Sequence, residues 1–144
     1  MTTQVSNPLT LVMNIKSHED FAALKEMLEG IDNSPSGKNP IDNALTKIGT
    51  VHFARFVFLS EWQLAVITSY DGDFERYIQA FTDEIGDIFN KLLSHMKDAP
   101  KLPVQENLRE FLQYVKNNDR SFGKSFYSAY PELTVFDILA QSKK

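Results

Sequence analysis

The chain contains no cysteine, which excludes disulfides, thiolate metal sites and a cysteine nucleophile and makes a reducing cytosol the expected setting. It has no apolar run approaching the ~20 residues that cross a bilayer. Its first residues, MTTQVSNPLTLVMNIKSHED, lack a basic start leading into an apolar stretch and a small-residue cleavage site. A soluble, cytoplasmic protein without a membrane partner is expected. Positive charge is scarce too: 15 Lys and Arg stand against 19 Asp and Glu, a formal net charge of −4. No basic stripe with interleaved aromatics runs along the chain, so nucleic acid is not an expected partner. The GxSxG, P-loop and GxGxxG patterns are missing, which removes the strongest supports for a serine hydrolase, a nucleotide hydrolase or a dinucleotide enzyme. The three histidines, His18, His52 and His95, fall on different elements without metal-ligand spacing, so no metal site is expected. No internal repeat or low-complexity segment is present.

Aromatic residues are plentiful, with 11 Phe, 5 Tyr and 1 Trp in 144 residues. That is more than a small helical bundle needs, and sheet faces or a buried interface would use them. The length predicts a single domain over residues 1–144, large enough to bury roughly two-thirds of the unfolded chain's surface.

The clearest local statement is the stretch from Thr50 to Asp73, TVHFARFVFLSEWQLAVITSYDGD. Two apolar runs flank the polar break Ser60-Glu61, and the second ends in Asp71-Gly72-Asp73 before a helical pattern: a β-hairpin feeding a helix. On the first strand, simple alternation puts Val51, Phe53, Arg55, Val57 and Leu59 on one face and His52, Ala54, Phe56 and Phe58 on the other. On the second, Ala65, Ile67 and Ser69 oppose Leu64, Val66, Thr68 and Tyr70. Neither face is polar, so both need cover.

Upstream, Leu9 to Ile15 is apolar at nearly every position and reads as a strand covered on both sides. Ser17 with Asp20 resembles a capping box opening a helix from about His18 to Glu29. Asp32 to Asn39 reads as a surface loop, and Asn39-Pro40 starts a short helix stopped at Gly49. Downstream, Phe74, Tyr77, Ile78, Phe81, Ile85, Ile88, Phe89 and Leu92 predict a long helix over about 73–96, with Gly86 marking a close approach to a neighbour. Ala99 to Pro103 reads as a rigid turn, Leu108 to Val115 as a further helix, Ser125 to Tyr130 (SFYSAY) as a last strand ended by Pro131, and Thr134 with Asp137 as the cap of a short C-terminal helix.

Stripped of its additions, the order is β-α-β-β-α-β, the ferredoxin-like arrangement: an α+β fold with both helices on one face of a four-stranded antiparallel sheet. The other face is apolar as well, which predicts that a second copy of the chain covers it. The order of elements, the doubly apolar hairpin and the YDGD turn into a long helix resemble the dimeric α+β barrel superfamily. That group includes antibiotic-biosynthesis-type monooxygenases, chlorite-dismutase-like proteins and dye-decolorising-type peroxidases. The resemblance implies a homodimer with two sheets face to face and an enclosed ligand, haem or an aromatic polyketide, and so an oxidoreductase. The peroxidase branch carries a GxxDG motif and a downstream histidine. Here Asp71-Gly72 is preceded by Thr68 where the glycine would stand, and only His95 follows.

The residues expected to meet a ligand are His52, Arg55, Tyr70 and Tyr127. His52, within an apolar strand, suits a haem ligand, a general base or a pocket hydrogen bond, or else a core histidine tied to a carbonyl or to Ser69. Arg55 needs a partner if buried: a ligand carboxylate or propionate, Asp71 or Asp73, or the dimer mate. Tyr70, Tyr127 and Tyr130 gather near strand ends, where phenols donate to a bound carbonyl or serve an interface. The Asp71-Gly72-Asp73 turn reads chiefly as a helix cap, Asp83, Glu84 and Asp87 as a solvated face with Asp87 paired to Lys91, and Trp62 as packing. Two functions follow: a homodimer binding a small hydrophobic or haem-like ligand, with or without oxidoreductase chemistry, or a non-catalytic interaction module whose apolar sheet serves dimerisation alone.

Overall fold

In the computed structural model, which describes residues 4–142 and Lys124 by its backbone alone, the elements run β1 (Ser6–Asn14), α1 (His18–Asp32), α2 (Pro40–Ile48), β2 (Val51–Ser60), β3 (Gln63–Asp71), α3 (Phe74–Leu93), α4 (Leu108–Asn118) and α5 (Val135–Ser142). Single 3-10 turns at Val104–Glu106 and Gly123–Ser125 punctuate the connections. The five outermost residues of the expected unit over 1–144 lie outside the described residues. The fold is α+β, with one three-stranded antiparallel sheet in the order β1-β3-β2.

Local chemistry explains the starts and stops. The Ser17 hydroxyl accepts from the Asp20 amide at the head of α1, and Asn39 does the same for Ile41 and Asp42 ahead of Pro40 in α2; such caps contribute ~1 kcal/mol each. Asp73 caps α3 through the Arg76 amide. Gly49 ends α2 at φ 78°, a left-handed conformation that disfavours a side chain, and the Phe136 ring of α5 lies 3.1 Å from where a Cβ would stand. The close approach expected at Gly86 is to the Gln105 side chain, which bonds Asp87 and Asn90. Asp87 therefore takes the Gln105 amide rather than Lys91, while Glu84 pairs with Lys47 and Asp83 with Gln79.

One face of the sheet carries the core. Leu9, Leu11 and Met13 of β1, Leu64, Val66 and Tyr70 of β3, and Phe56 and Phe58 of β2 meet Leu24 of α1, the apolar stripe of α3 and Phe111 of α4. A chain of rings runs through it: Tyr70 stacks on Tyr77, which leads through Phe81 and Phe89 to Phe111. Each ring taken from water contributes ~1.5–3 kcal/mol. At the hairpin tip, Trp62 packs against the His18 ring at 4.6 Å, with the Lys97 ammonium 6.0 Å from the indole.

The register corrects the face assignment of β2. Val51 pairs with Tyr70 and Phe53 with Ser69, so His52 is an extra residue, a bulge; a second bulge sits at Leu59. Val51 thus joins the helix-facing set, while Phe53, Arg55 and Val57 share the open face with Pro8, Thr10, Val12, Ala65, Ile67 and Ser69.

The expected fourth strand over 125–130 does not form. After a single bridge between Leu11 and Asp119, with the Arg120 amide donating to Thr10, the chain leaves the β1 edge and rejoins it only where the Val5 amide donates to Pro131. The segment advances twelve residues, from 119 to 131, while β1 retreats six, from 11 to 5. Thr10 turns its N–H and C=O toward that edge, and strand alternation turns the nitrogen of Pro8 the same way. Proline has no N–H to offer, so a ladder there is broken. The surplus chain loops over the open face instead, and α5 follows it.

Candidate functional site

The open face of the sheet is therefore covered at one end by the chain's own C-terminal segment, and the space between them is the candidate site. A cleft of about 980 Å³ runs between α2, the start of β2, residues 126–130 and α5, with Leu45, Val51, Tyr130, Val135, Ile138 and Leu139 among its walls. A second hollow of about 520 Å³ lies further along the sheet beneath residues 120–126. Phe53, Ala54, Ser69 and Phe126 line both, so the two are neighbouring parts of one groove.

At the cleft, the β2 bulge turns His52 toward the end of β3. Its Nε2 lies 2.6 Å from Asp71 Oδ1 and 3.0 Å from Ser6 Oγ, and Ser6 Oγ lies 3.1 Å from the same carboxylate oxygen. Asp71 Oδ2 accepts the Val135 amide at 2.7 Å. The consistent proton arrangement has the His52 N–H, the Ser6 O–H and the Val135 N–H all donating to Asp71, so a neutral His52 keeps an acceptor at Nδ1. The Asp71 and His52 side chains are only 8% and 13% exposed. One carboxylate thus fastens β1, β2 and the start of α5 together.

Serine, histidine and aspartate meet here, but not as a nucleophilic triad. A triad places serine on one imidazole nitrogen and the carboxylate on the other. Here both approach Nε2, and Ser6 gives its proton to Asp71, so its oxygen is not activated. The arrangement also fits haem poorly, because the Nε2 that would ligate iron in the usual orientation is held by Asp71. No step through haem follows from this site.

The other expected residues separate. Arg55 lines the second hollow with Phe53; the anticipated pairing with Asp71 or Asp73 is not made, since Asp71 takes His52 and Asp73 caps α3. Tyr127 lines the cleft and is 87% exposed. Tyr70 does not join them. It faces the helices, 4% exposed, and burial, with the charges of Asp119 and Asp73, pushes its phenol up to about 12. The expected Ser69 partner of His52 pairs instead with Phe53, displaced by the bulge. Sequence reasoning missed Ser6, Arg120 and α5 as parts of the site. Only the apolar spacing of Val135, Ile138 and Leu139 offered a signal.

A second histidine–carboxylate contact lies at the opposite end of the sheet. His95 Nδ1 is 2.8 Å from Asp20, whose other oxygen accepts from Ser17 Oγ at 2.7 Å. The Ser17 bond, with His95 next, holds the Asp20 carboxyl below its ordinary range. The serine again serves the carboxylate and not the imidazole, so this is a cap that gained a histidine. Among the described residues no group of three or more metal-ligating side chains exists, and no helix is long and apolar enough to cross a membrane. Comparison with known proteins adds nothing to the geometry, since no family model, no curated protein and no solved structure matches the chain.

Proposed function

We propose that the protein binds a small, largely apolar molecule in the cleft between its open sheet face and its C-terminal segment, with His52 and the buried Asp71 cluster at the polar edge of the site. The observation that carries this reading is the cleft itself: about 980 Å³ walled by residues from four separate stretches of chain, with a buried polar cluster at its edge. Ligand sites have this character, a mostly apolar concavity of ~300–1,000 Å³ with a few fixed polar groups. Binding is the activity assigned, since the Ser6 hydroxyl and the Nε2 of His52 are both engaged with Asp71.

Native mass spectrometry and titration calorimetry with 1-decanol as the probe test the reading. A one-to-one complex is expected, weakened ~10-fold or more by Leu139→Arg, a substitution at a half-exposed position of α5 that places a charge in the apolar wall. Failure of the probe to bind, or binding indifferent to Leu139→Arg, would overturn it.

A second reading rests on a different observation. Phe53 is 79% exposed and Leu59 53%, both on the edge strand β2. The C-terminal segment lines the end of the open face around Phe53, Arg55 and Ser69, while Val12 and Val57, further along, are half-buried and Leu59 at the hairpin end is exposed. A second copy meeting this end would complete a dimeric, ferredoxin-like barrel and serve as an interaction surface. Light scattering at micromolar concentration decides it, with twice the chain mass expected.

A further inference from the structure

The second hollow has a chemistry that the apolar cleft does not. Arg55 and Arg120 both line it, in a chain whose net charge is −4. Among the described residues no carboxylate lies within ion-pair distance of either guanidinium. The acid nearest to Arg120 in the chain, Asp119, is committed: its Oδ1 accepts from the Thr10 amide and from both the amide and the hydroxyl of Ser121. Arg120 itself donates once, to the Asn117 carbonyl. Around the two cations stand Pro8, Ile67, Phe122 and Phe126, with hydroxyls from Thr10 and Ser69. Two unpaired guanidinium groups beside apolar walls suit a planar anion, which accepts from such donors in the forked geometry that arginine favours.

We propose that this hollow is the anion end of the cleft, and that the ligand is a monocarboxylate with a long apolar body. Its carboxylate lies between Arg55 and Arg120, and its body passes Phe53 and Phe126 toward Ile138 and Leu139. The shared lining makes the path continuous. The opposite end carries Asp42 and the Asp71 cluster, so a second negative charge there is repelled and a dicarboxylate is disfavoured. This inference rests on the ligand-binding reading of the cleft and adds to it a ligand class and an orientation.

Titration of the full chain with decanoate and, separately, with 1-decanol tests it. Decanoate is expected to bind ~10-fold or more tightly than the alcohol. Arg55→Gln and Arg120→Gln, both at exposed positions, are each expected to reduce that advantage several-fold. Equal affinity for the two probes, or an advantage that survives both substitutions, would overturn the carboxylate assignment and leave the apolar cleft standing. Failure of both probes would instead overturn the cleft reading beneath it.

Discussion

Two phenols on the helix side of the sheet keep their protons past the pH at which an unfolded chain releases them. Burial pushes both Tyr70 and Tyr77 up from 10.0 to about 12, partly opposed at Tyr77 by its hydrogen bond to Thr68. The fold retains the neutral form, so their contribution is complete below pH 10. It is lost as pH climbs toward 12, where the unfolded chain has ionised and the folded one has not. Urea unfolding is therefore expected to show a loss on the order of 1 kcal/mol between about pH 9 and about pH 11, with Tyr77→Phe flattening the slope; a slope unchanged in that variant would contradict it. Single residues are also where the sequence was hardest to read. His52 stood out in an apolar strand, but its partners depend on a bulge, and one extra residue redirects a side chain without any change of composition. Ser6 and Arg120 looked ordinary because they matter only through what the fold brings beside them.

At the scale of elements, α5 has no buried residue, yet its first amide is held by Asp71 and its side chains wall the cleft. A chain ending at residue 134 is expected to keep its circular dichroism and lose little melting temperature, while probe affinity falls ~10-fold or more, since the apolar side chains of Val135, Ile138 and Leu139 are gone from the wall. A collapse of the fold on truncation would show that α5 belongs to the core after all. Periodic elements were legible: the stripe from Phe74 to Leu92 fixed α3 to within a few residues, and the two apolar runs fixed β2 and β3. The missing fourth strand was not. SFYSAY has strand-like residues, but strands form in pairs, and its neighbour would have been Pro8 on an edge that the chain outruns. Local preference carries no information about the partner that a ladder requires.

For the whole molecule, the sheet's two edges are guarded unequally. The β1 edge carries Pro8 and is crossed by the C-terminal segment, whereas β2 is protected only by bulges at His52 and Leu59. The open face carries Thr10, Arg55 and Ser69 among its apolar residues, and the chain supplies part of the cover itself, which shrinks the area left for a twin. If two copies do meet, Leu59→Glu is expected to shift light scattering from the dimer to the monomer mass with little effect on folding, because that side chain is 53% exposed at the hairpin end of β2; a dimer that persists would place the contact elsewhere. The position of Trp62 has a practical corollary. The only indole in the chain sits at the hairpin tip beside His18 and Lys97, eight or more residues along β2 from His52 at ~3.3 Å per residue. Its emission is an intrinsic gauge of the end where α1 and α3 meet and is blind to the groove, so quenching by an added compound would signal occupancy of the wrong end of the protein.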